Sequence, residues 1–153
     1  MKTSAKITAM LITFTFLLFC PSFLISQNLG KVEINFTNLK NNDGVLFIAL
    51  YESSPNRFNS SNLTFKKGCA EINKDNTAKF VFENITPGKY AVAVLHDANN
   101  DGKMNSNVIG LPKEGFGFST NPKVLTRSPR MDECEFLVEA NKTTHLTIKL
   151  IYF

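Results

Sequence analysis

The sequence predicts an all-β protein, a seven-stranded antiparallel β-sandwich of immunoglobulin or transthyretin type with a long loop after the central strand. Apolar residues alternate with polar ones at a period of two, which is typical of half-buried strands. Turn-forming residues separate these segments from one another. With 153 residues, 43% of them hydrophobic, the chain is long enough for one domain with a buried core but not for two.

The first 26 residues are expected to form a secretory signal peptide. Lys2 and Lys6 precede an apolar run from Ala9 to Phe19, and Ser26 offers a small residue for cleavage. A basic start, a short apolar segment and a small residue at the end are the three parts of such a signal. The apolar run is too short for a transmembrane helix, which needs about 20 residues.

Cleavage leaves an exported domain of residues 27–153 without a transmembrane segment, in the periplasm, the cell envelope or outside the cell. Lipoprotein processing before Cys20 is the alternative, although Phe19 ahead of it is bulky. The signal contains two lysines and no acidic residue, so its removal lowers the formal net charge from +4 to +2. This small charge predicts that nucleic acid is not a partner.

The first two predicted strands lie on either side of a turn signal. Val32, Ile34 and Phe36 alternate with polar residues, and Val45–Tyr51 is apolar on both faces. The segment N-N-D-G at 41–44 contains the Asp-Gly pair favoured in tight hairpin turns. These two strands are therefore expected to pair as a hairpin.

Five further strands complete the prediction. Cys69–Ile72 is short and expected at a sheet edge, and Phe80–Ile85 alternates. Tyr90–Leu95 is apolar on both faces and is expected to be the central strand. The last two predicted strands are Cys134–Val138 and Thr144–Tyr152.

The connection from residue 97 to residue 130 contains four glycines and three prolines and is unusually long for a compact domain. Its first part, H-D-A-N-N-D-G-K-M-N at 96–105, has the oxygen-ligand spacing of an EF-hand-type calcium loop, with Gly102 at the sharp turn. The predicted Ca²⁺ ligands are Asp97, Asn99, Asp101, Lys103 through its carbonyl oxygen, and Asn105.

This loop departs from the EF-hand pattern at position 12, where Val108 stands in place of a bidentate glutamate, and no flanking helices are predicted. Asn107 or Glu114 could complete the ligand set. The alternative is a turn without metal, because Asn, Asp and Gly also dominate ordinary turns. With only two carboxylates, binding is expected to be weak, with a dissociation constant of about 10⁻⁴–10⁻³ M.

A possible ligand rim is the second hypothesis for this connection. His96 could be a metal ligand or a general base, or a structural histidine that braces the loop. Exposed aromatic and charged side chains often form sugar-binding surfaces, and the alternative is that both phenylalanine rings cover the outer face of the central strand. The rim comprises His96, Lys113, Glu114, Phe116 and Phe118.

No catalytic residue is predicted. The chain has no G-x-S-x-G motif, no phosphate-binding or dinucleotide-binding glycine spacing, and no cysteine with an evident histidine partner. After cleavage, Cys69 and Cys134 remain, and pairs in exported proteins often form disulfides. Cys134 shares an inward alternation with Phe136 and Val138, so the sequence leaves the disulfide open.

The run from Pro87 to Ser119 resembles the signature of an exported bacterial family catalogued as domain of unknown function 2141. The matching parts are H-D-A-N-N-D-G-K at 96–103 and G-L-P-K-E-G-F-G-F-S at 110–119, and the likeness extends from about Gly30 to Leu150. The resemblance implies a small secreted domain with a transthyretin-like or immunoglobulin-like sandwich, and it implies no activity.

We therefore expect a non-catalytic binding or accessory module of the cell envelope, with a loop stabilised by Ca²⁺. Its partner is expected to be a small ligand, a glycan or an envelope protein. One alternative is a metal- or sugar-dependent enzyme that uses His96, Asp97 and Glu114. Another is a purely structural domain without metal.

Overall fold

The computed structural model describes residues 28–53, 64–124 and 127–153. The predicted signal peptide of residues 1–26 lies outside the described residues. Within the described part of the chain, no helix is both long and apolar enough to cross a membrane.

The described residues form eight strands and one short 3-10 helix. The all-β sandwich prediction is confirmed, with one strand more than predicted, β6, inside the long connection. The strands are β1 (Gly30–Thr37), β2 (Val45–Glu52), β3 (Lys66–Glu71), β4 (Ala78–Ile85), β5 (Gly88–Asp97), β6 (Gly115–Phe118), β7 (Phe136–Val138) and β8 (Thr143–Lys149), and the 3-10 helix Met131–Glu133 precedes β7.

The strands form two sheets. One has three strands in the order β4-β1-β8, and the other has five strands in the order β3-β2-β5-β6, with β7 also paired to β5. β1 and β8 are parallel, and the other pairs are antiparallel. β6 and β7 share one edge of β5, because β7 pairs with residues 88–90 and β6 with residues 93–96.

The main core lies between the two sheets. Alternate residues of the long strands point into it, so in β1 the period of two in the sequence becomes one buried face and one partly exposed face. Burying one such side chain stabilises the fold by about 1.5–3 kcal/mol. Its fully buried members include Val32, Ile34 and Phe36 of β1, Leu46 and Leu50 of β2, Ile85 of β4, and Tyr90 and Val92 of β5.

The predicted hairpin between β1 and β2 is wrong, because these strands lie in different sheets. Both edges of β1 are occupied, one by β4 and the other by β8. The 41–44 turn instead carries the chain across the sandwich. Gly44 in this turn has φ +66° and lies so close to β5 that a Cβ atom there would be 1.9 Å from the carbonyl oxygen of Asp97.

A second apolar cluster covers part of the outer face of the five-stranded sheet. Cys134 belongs to it, whereas Phe136 and Val138 belong to the core between the sheets, so the predicted shared alternation of these three residues is wrong. The reason is the 3-10 helix, which Cys134 caps and which turns the chain before β7. The buried members of the outer cluster are Tyr51, Ala91, Phe116, Phe118, Met131 and Cys134.

Both cysteines of the described residues are free. Cys69 lies exposed on β3, and Cys134 is buried.

Candidate functional site

The candidate site is the loop between β5 and β6, residues 98–114. β5 and β6 are antiparallel neighbours, and His96 pairs with Gly115, so the two ends of the loop are held together. Within the loop, Ser106 and Pro112 form an isolated bridge. This bridge separates two compact turns, and the first of them, residues 97–105, is called the acidic turn below.

The acidic turn is organised by the buried carboxylate of Asp97, the last residue of β5. Its Oδ2 accepts a hydrogen bond of 2.7 Å from the Gly102 amide, and its Oδ1 accepts one of 3.2 Å from the Asp101 amide. Asn100 and Gly102 have positive φ, a conformation that these two residue types tolerate best. The two bonds close the turn and satisfy a carboxylate that is fully buried.

Asp101 is the exposed centre of the acidic turn. Its Oδ1 accepts from the Lys103 amide at 2.9 Å, and its Oδ2 accepts from the side-chain amides of Asn105 at 2.8 Å and Asn99 at 3.1 Å. The hydrogen bonds from Asn105 and then Asn99 favour the charged form and lower the pKa of this carboxyl group. These hydrogen bonds therefore stabilise the charged form of Asp101.

The predicted completing residues differ in their relation to the acidic turn. Glu114 is buried and accepts a hydrogen bond of 2.9 Å from the Asn105 amide, so its carboxylate reaches the turn. Asn107 belongs to the second turn, where its Oδ1 accepts from the Leu111 and Ile109 amides at 2.9 and 3.1 Å. Glu114 is thus the nearer candidate for an additional oxygen ligand.

The donor set of the acidic turn fits a hard cation better than a transition metal. It consists of the Asp97 and Asp101 carboxylates with amide oxygens, and oxygen ligands are those that Ca²⁺ prefers. Within the described residues, no group of three or more His, Cys, Asp and Glu side chains could hold a metal. The side-chain nitrogens of Asn99 and Asn105 donate to Asp101, and the Asn99 oxygen accepts from the Asp101 amide at 3.2 Å, so both side chains would have to rearrange to present oxygen to a cation.

His96 is buried on the inner face of β5 with both ring nitrogens hydrogen-bonded. Nε2 lies 2.8 Å from the Asp43 carbonyl oxygen and Nδ1 lies 2.7 Å from the Tyr152 hydroxyl. Because a carbonyl oxygen only accepts, Nε2 carries a proton, and Nδ1 lies within hydrogen-bond distance of the Tyr152 hydroxyl. These contacts are those of a histidine that braces the start of the loop.

The residues of the predicted rim do not share one surface. His96 faces the core, Glu114 is buried beside the acidic turn, and Lys113 is exposed. Phe116 and Phe118 are 8% and 7% exposed and pack edge to face on the outer side of β5, with ring centroids 5.9 Å apart. The two rings are therefore part of the outer cluster and are not exposed aromatics.

A groove on the outer face of the five-stranded sheet was not predicted. It has a volume of about 1060 Å³. Its lining includes Ala49 of β2, Ala93 of β5, and Gly102 and Met104 of the acidic turn. The available signal was that Val45–Tyr51 and Tyr90–Leu95 are apolar on both faces, although the second sheet can cover only one of them.

Comparison with known proteins identifies a family over most of the chain. A family model described as an uncharacterized protein conserved in bacteria (DUF2141) matches residues 34–146. The matched range begins within β1, ends within β8 and includes the whole loop between β5 and β6. No curated protein and no solved structure matches.

Proposed function

The chain belongs to the family of uncharacterized proteins conserved in bacteria, DUF2141, and from this premise we propose that it is a non-catalytic binding module of the cell envelope. In this proposal Ca²⁺ stabilises the acidic turn, and the acidic turn forms one wall of the groove. A single observation carries the proposal: the turn that collects the oxygen donors also places Gly102 and Met104 along the groove.

Two features support Ca²⁺ as the cation. The Asp97 and Asp101 carboxylates are both ordered by backbone amides, so part of the entropic cost of assembling a site is already met by the fold. In this proposal the remaining oxygens come from the Lys103 carbonyl, from Glu114 at the edge of the turn, and from Asn99 and Asn105 after their side-chain amides have rotated. We expect weak binding, because only two carboxylates belong to the turn itself.

Export is supported by the sequence of the first 26 residues. A basic start and a short apolar segment are typical of a signal peptide. We expect the protein recovered from the envelope or medium of a bacterial culture to begin at Gln27, or at a lipid-modified Cys20 under the alternative. Mass spectrometry of the intact protein distinguishes the two, and an uncleaved chain in the cytoplasm would contradict export.

Calcium binding is tested by titration calorimetry and thermal melting of the exported protein after removal of metal with EDTA. At ten times its dissociation constant, a ligand of the native state stabilises it by about 1.4 kcal/mol, or roughly 5 °C in melting temperature. Asp101→Asn should abolish this gain. Asp75→Asn is the matched control, because Asp75 also accepts hydrogen bonds in a short turn, from the Thr77 amide and hydroxyl.

The outcomes separate a metal site from an ordinary turn. Both variants should melt somewhat below the wild type in EDTA, but only Asp75→Asn should regain stability when Ca²⁺ is added. Absence of heat and of any shift for the wild type at millimolar Ca²⁺ would contradict the calcium part of the proposal. An equal response of Asp101→Asn and wild type would place the cation elsewhere.

A further inference from the structure

We infer that the groove on the outer face of the five-stranded sheet binds a free long-chain carboxylate, with its alkyl chain along the sheet and its head group at Lys67. The inference rests on the proposed role as a binding module and names its ligand class. It does not depend on the calcium site.

The floor of the groove follows from strand register. Lys67 of β3 pairs with Ala49 of β2, Ala49 pairs with Ala93 of β5, and Ala93 pairs with Phe118 of β6. Residues paired across neighbouring strands point to the same face. Two alanines therefore lie side by side between a lysine at one end of the row and an aromatic ring at the other.

The neighbouring row contains three large side chains and one cysteine. Phe47 pairs with Cys69 on one side and with Leu95 on the other, and Leu95 pairs with Phe116. The step in side-chain size between the two rows produces a furrow that runs across the strands. An alkyl chain in this furrow would contact apolar side chains along its length.

The walls of the groove leave large apolar side chains open to solvent. Met104 and Leu111 of the loop and Phe153 at the C-terminus line it and are 41%, 39% and 56% exposed. Phe153 is held against Phe116, with ring centroids 5.8 Å apart. A contiguous apolar surface of this kind on a soluble domain commonly marks a binding site.

The charges of the groove favour an anion. The lining contains Lys67 and Arg127 and, within the described residues, no acidic side chain. Arg127 is neutralised by Glu133, to which its two terminal nitrogens donate at 2.7 and 2.8 Å. Lys67 has no ion pair in the described part of the chain, and the other titratable groups of the lining are the thiol of Cys69 and the hydroxyl of Tyr51. The free cation at the β3 edge is thus the position for a carboxylate head group.

The length of the groove floor suits one alkyl chain. The groove volume of about 1060 Å³ lies just above the usual range of small-molecule sites, about 300–1,000 Å³, so a single chain does not fill it. The alanine row spans three inter-strand spacings of about 4.8 Å, or roughly 14 Å. An extended alkyl chain advances about 1.3 Å per carbon, given C–C bonds of about 1.5 Å, so roughly eleven carbons fit along the row.

The test uses dodecanoate, below its micelle concentration, in calorimetric titrations of the exported protein with EDTA and again with Ca²⁺. We expect one dodecanoate per chain, and affinity that falls about fourfold for each methylene removed from the probe. Lys67→Gln should weaken dodecanoate about two- to fivefold and leave dodecanol unchanged. Lys79→Gln, on an exposed position of the other sheet, is the matched control.

Two further measurements test whether the ligand lies on the floor of the groove. Ala93→Leu fills the furrow and should lower the affinity for dodecanoate at least about tenfold, provided that its melting curve shows a folded protein. If that variant does not fold, alkylation of the wild type replaces it, since Cys69 lies in the groove and bound dodecanoate should protect it from iodoacetamide.

Several results would overturn the inference. The first is that dodecanoate neither binds nor protects Cys69 from iodoacetamide. The second is that a folded Ala93→Leu variant binds dodecanoate as tightly as the wild type does. The third is that the wild type binds dodecanoate and dodecanol with equal affinity. Capture by anionic phospholipid vesicles without binding of monomeric dodecanoate would assign the face to a membrane surface instead. A stable dimer that protects Cys69 without ligand would assign it to a second copy of the chain. If the protein binds Ca²⁺ but not dodecanoate, only the present inference is contradicted. If it binds dodecanoate but not Ca²⁺, only the proposed calcium site is contradicted.

Discussion

The Tyr152 hydroxyl lies 2.7 Å from Nδ1 of His96 and also accepts a hydrogen bond of 3.2 Å from the Lys40 amide. One phenol therefore joins the end of β5, the turn after β1 and the C-terminal segment. Its ring stands against Gly115, where a Cβ atom would lie 2.4 Å from it. These contacts hold both ends of the candidate loop to the last residues of the chain.

Tyr152→Phe should destabilise the protein by about 1–3 kcal/mol, because it leaves the buried Nδ1 of His96 without a partner. The free energy of unfolding is measured by urea denaturation. Tyr90→Phe is the comparison, since in the described part of the chain its hydroxyl bonds to Thr86, which lies in an exposed turn where water can replace the lost hydroxyl. An equal loss in both variants would contradict a special role for the Tyr152 contact.

Two glycines with positive φ provide a second test. Gly44 has φ +66° and faces the Asp97 carbonyl, 1.9 Å from the position of an added Cβ, whereas Gly102 has φ +75° and open space around it. Gly102→Ala should cost about 1 kcal/mol, the conformational penalty alone. Gly44→Ala should cost several times more, because the backbone of β5 must also move. Similar unfolding free energies would show that the 41–44 turn relaxes away from β5.

The alternation of apolar and polar residues predicted a strand wherever its inner face carries apolar side chains and its outer face carries polar ones. β1 is the clear case, because Val32, Ile34 and Phe36 are all fully buried. β6 could not be recognised in this way, since its core-facing positions are Gly115 and Gly117. An added Cβ at Gly117 would lie 2.7 Å from Ile148, so only glycine fits at this position. Without side chains on its inner face, β6 has no alternation of apolar and polar residues to recognise.

Sheet membership and the bracing of the loop depend on distant residues. The partners of His96, Asp43 and Tyr152, are 53 and 56 residues away in the chain, and no local pattern indicates them. The acidic turn is different, because Asp101 is hydrogen-bonded to both Asp97 and Asn105 within nine residues of chain. A compact polar turn at these positions was therefore predictable from spacing, whereas the groove beside it depends on the register of four strands.

The two cysteines should differ sharply in reactivity. Cys69 is exposed, whereas burial, together with the charge of Glu133, raises the pKa of the Cys134 thiol to about 12. Near pH 8, Cys134 is therefore almost entirely in the thiol form, whereas the thiolate is the reactive form. Iodoacetamide should therefore modify Cys69 in the native protein and both residues in urea without reductant, as read by peptide mass mapping. Protection of both in urea would indicate a disulfide.

The Arg127–Glu133 pair is expected to contribute to the pH dependence of stability in acid. The two guanidinium hydrogen bonds from Arg127, followed by the amide of Arg130 at 2.7 Å, lower the pKa of Glu133 from 4.5 to about 2. A carboxyl whose pKa is lower in the folded state contributes stability that is present above about pH 4.5 and is lost as the pH falls towards 2. The contribution is expected to be modest, because solvent screens an exposed pair.

In the Arg127→Gln variant the urea midpoint should therefore decrease less steeply than in the wild type as the pH falls below about 4.5. Near neutral pH the two midpoints should depend on pH in the same way. Part of the slope should remain, because the Arg130 amide still donates to Glu133. Lys142→Gln is the control for loss of a surface cation, since Lys142 pairs with Glu139 at 3.0 Å in a different turn. If the urea midpoints of wild type and Arg127→Gln fall equally steeply with decreasing pH, the pair makes no contribution. Protonation of other carboxyl groups would then explain the whole loss of stability in acid.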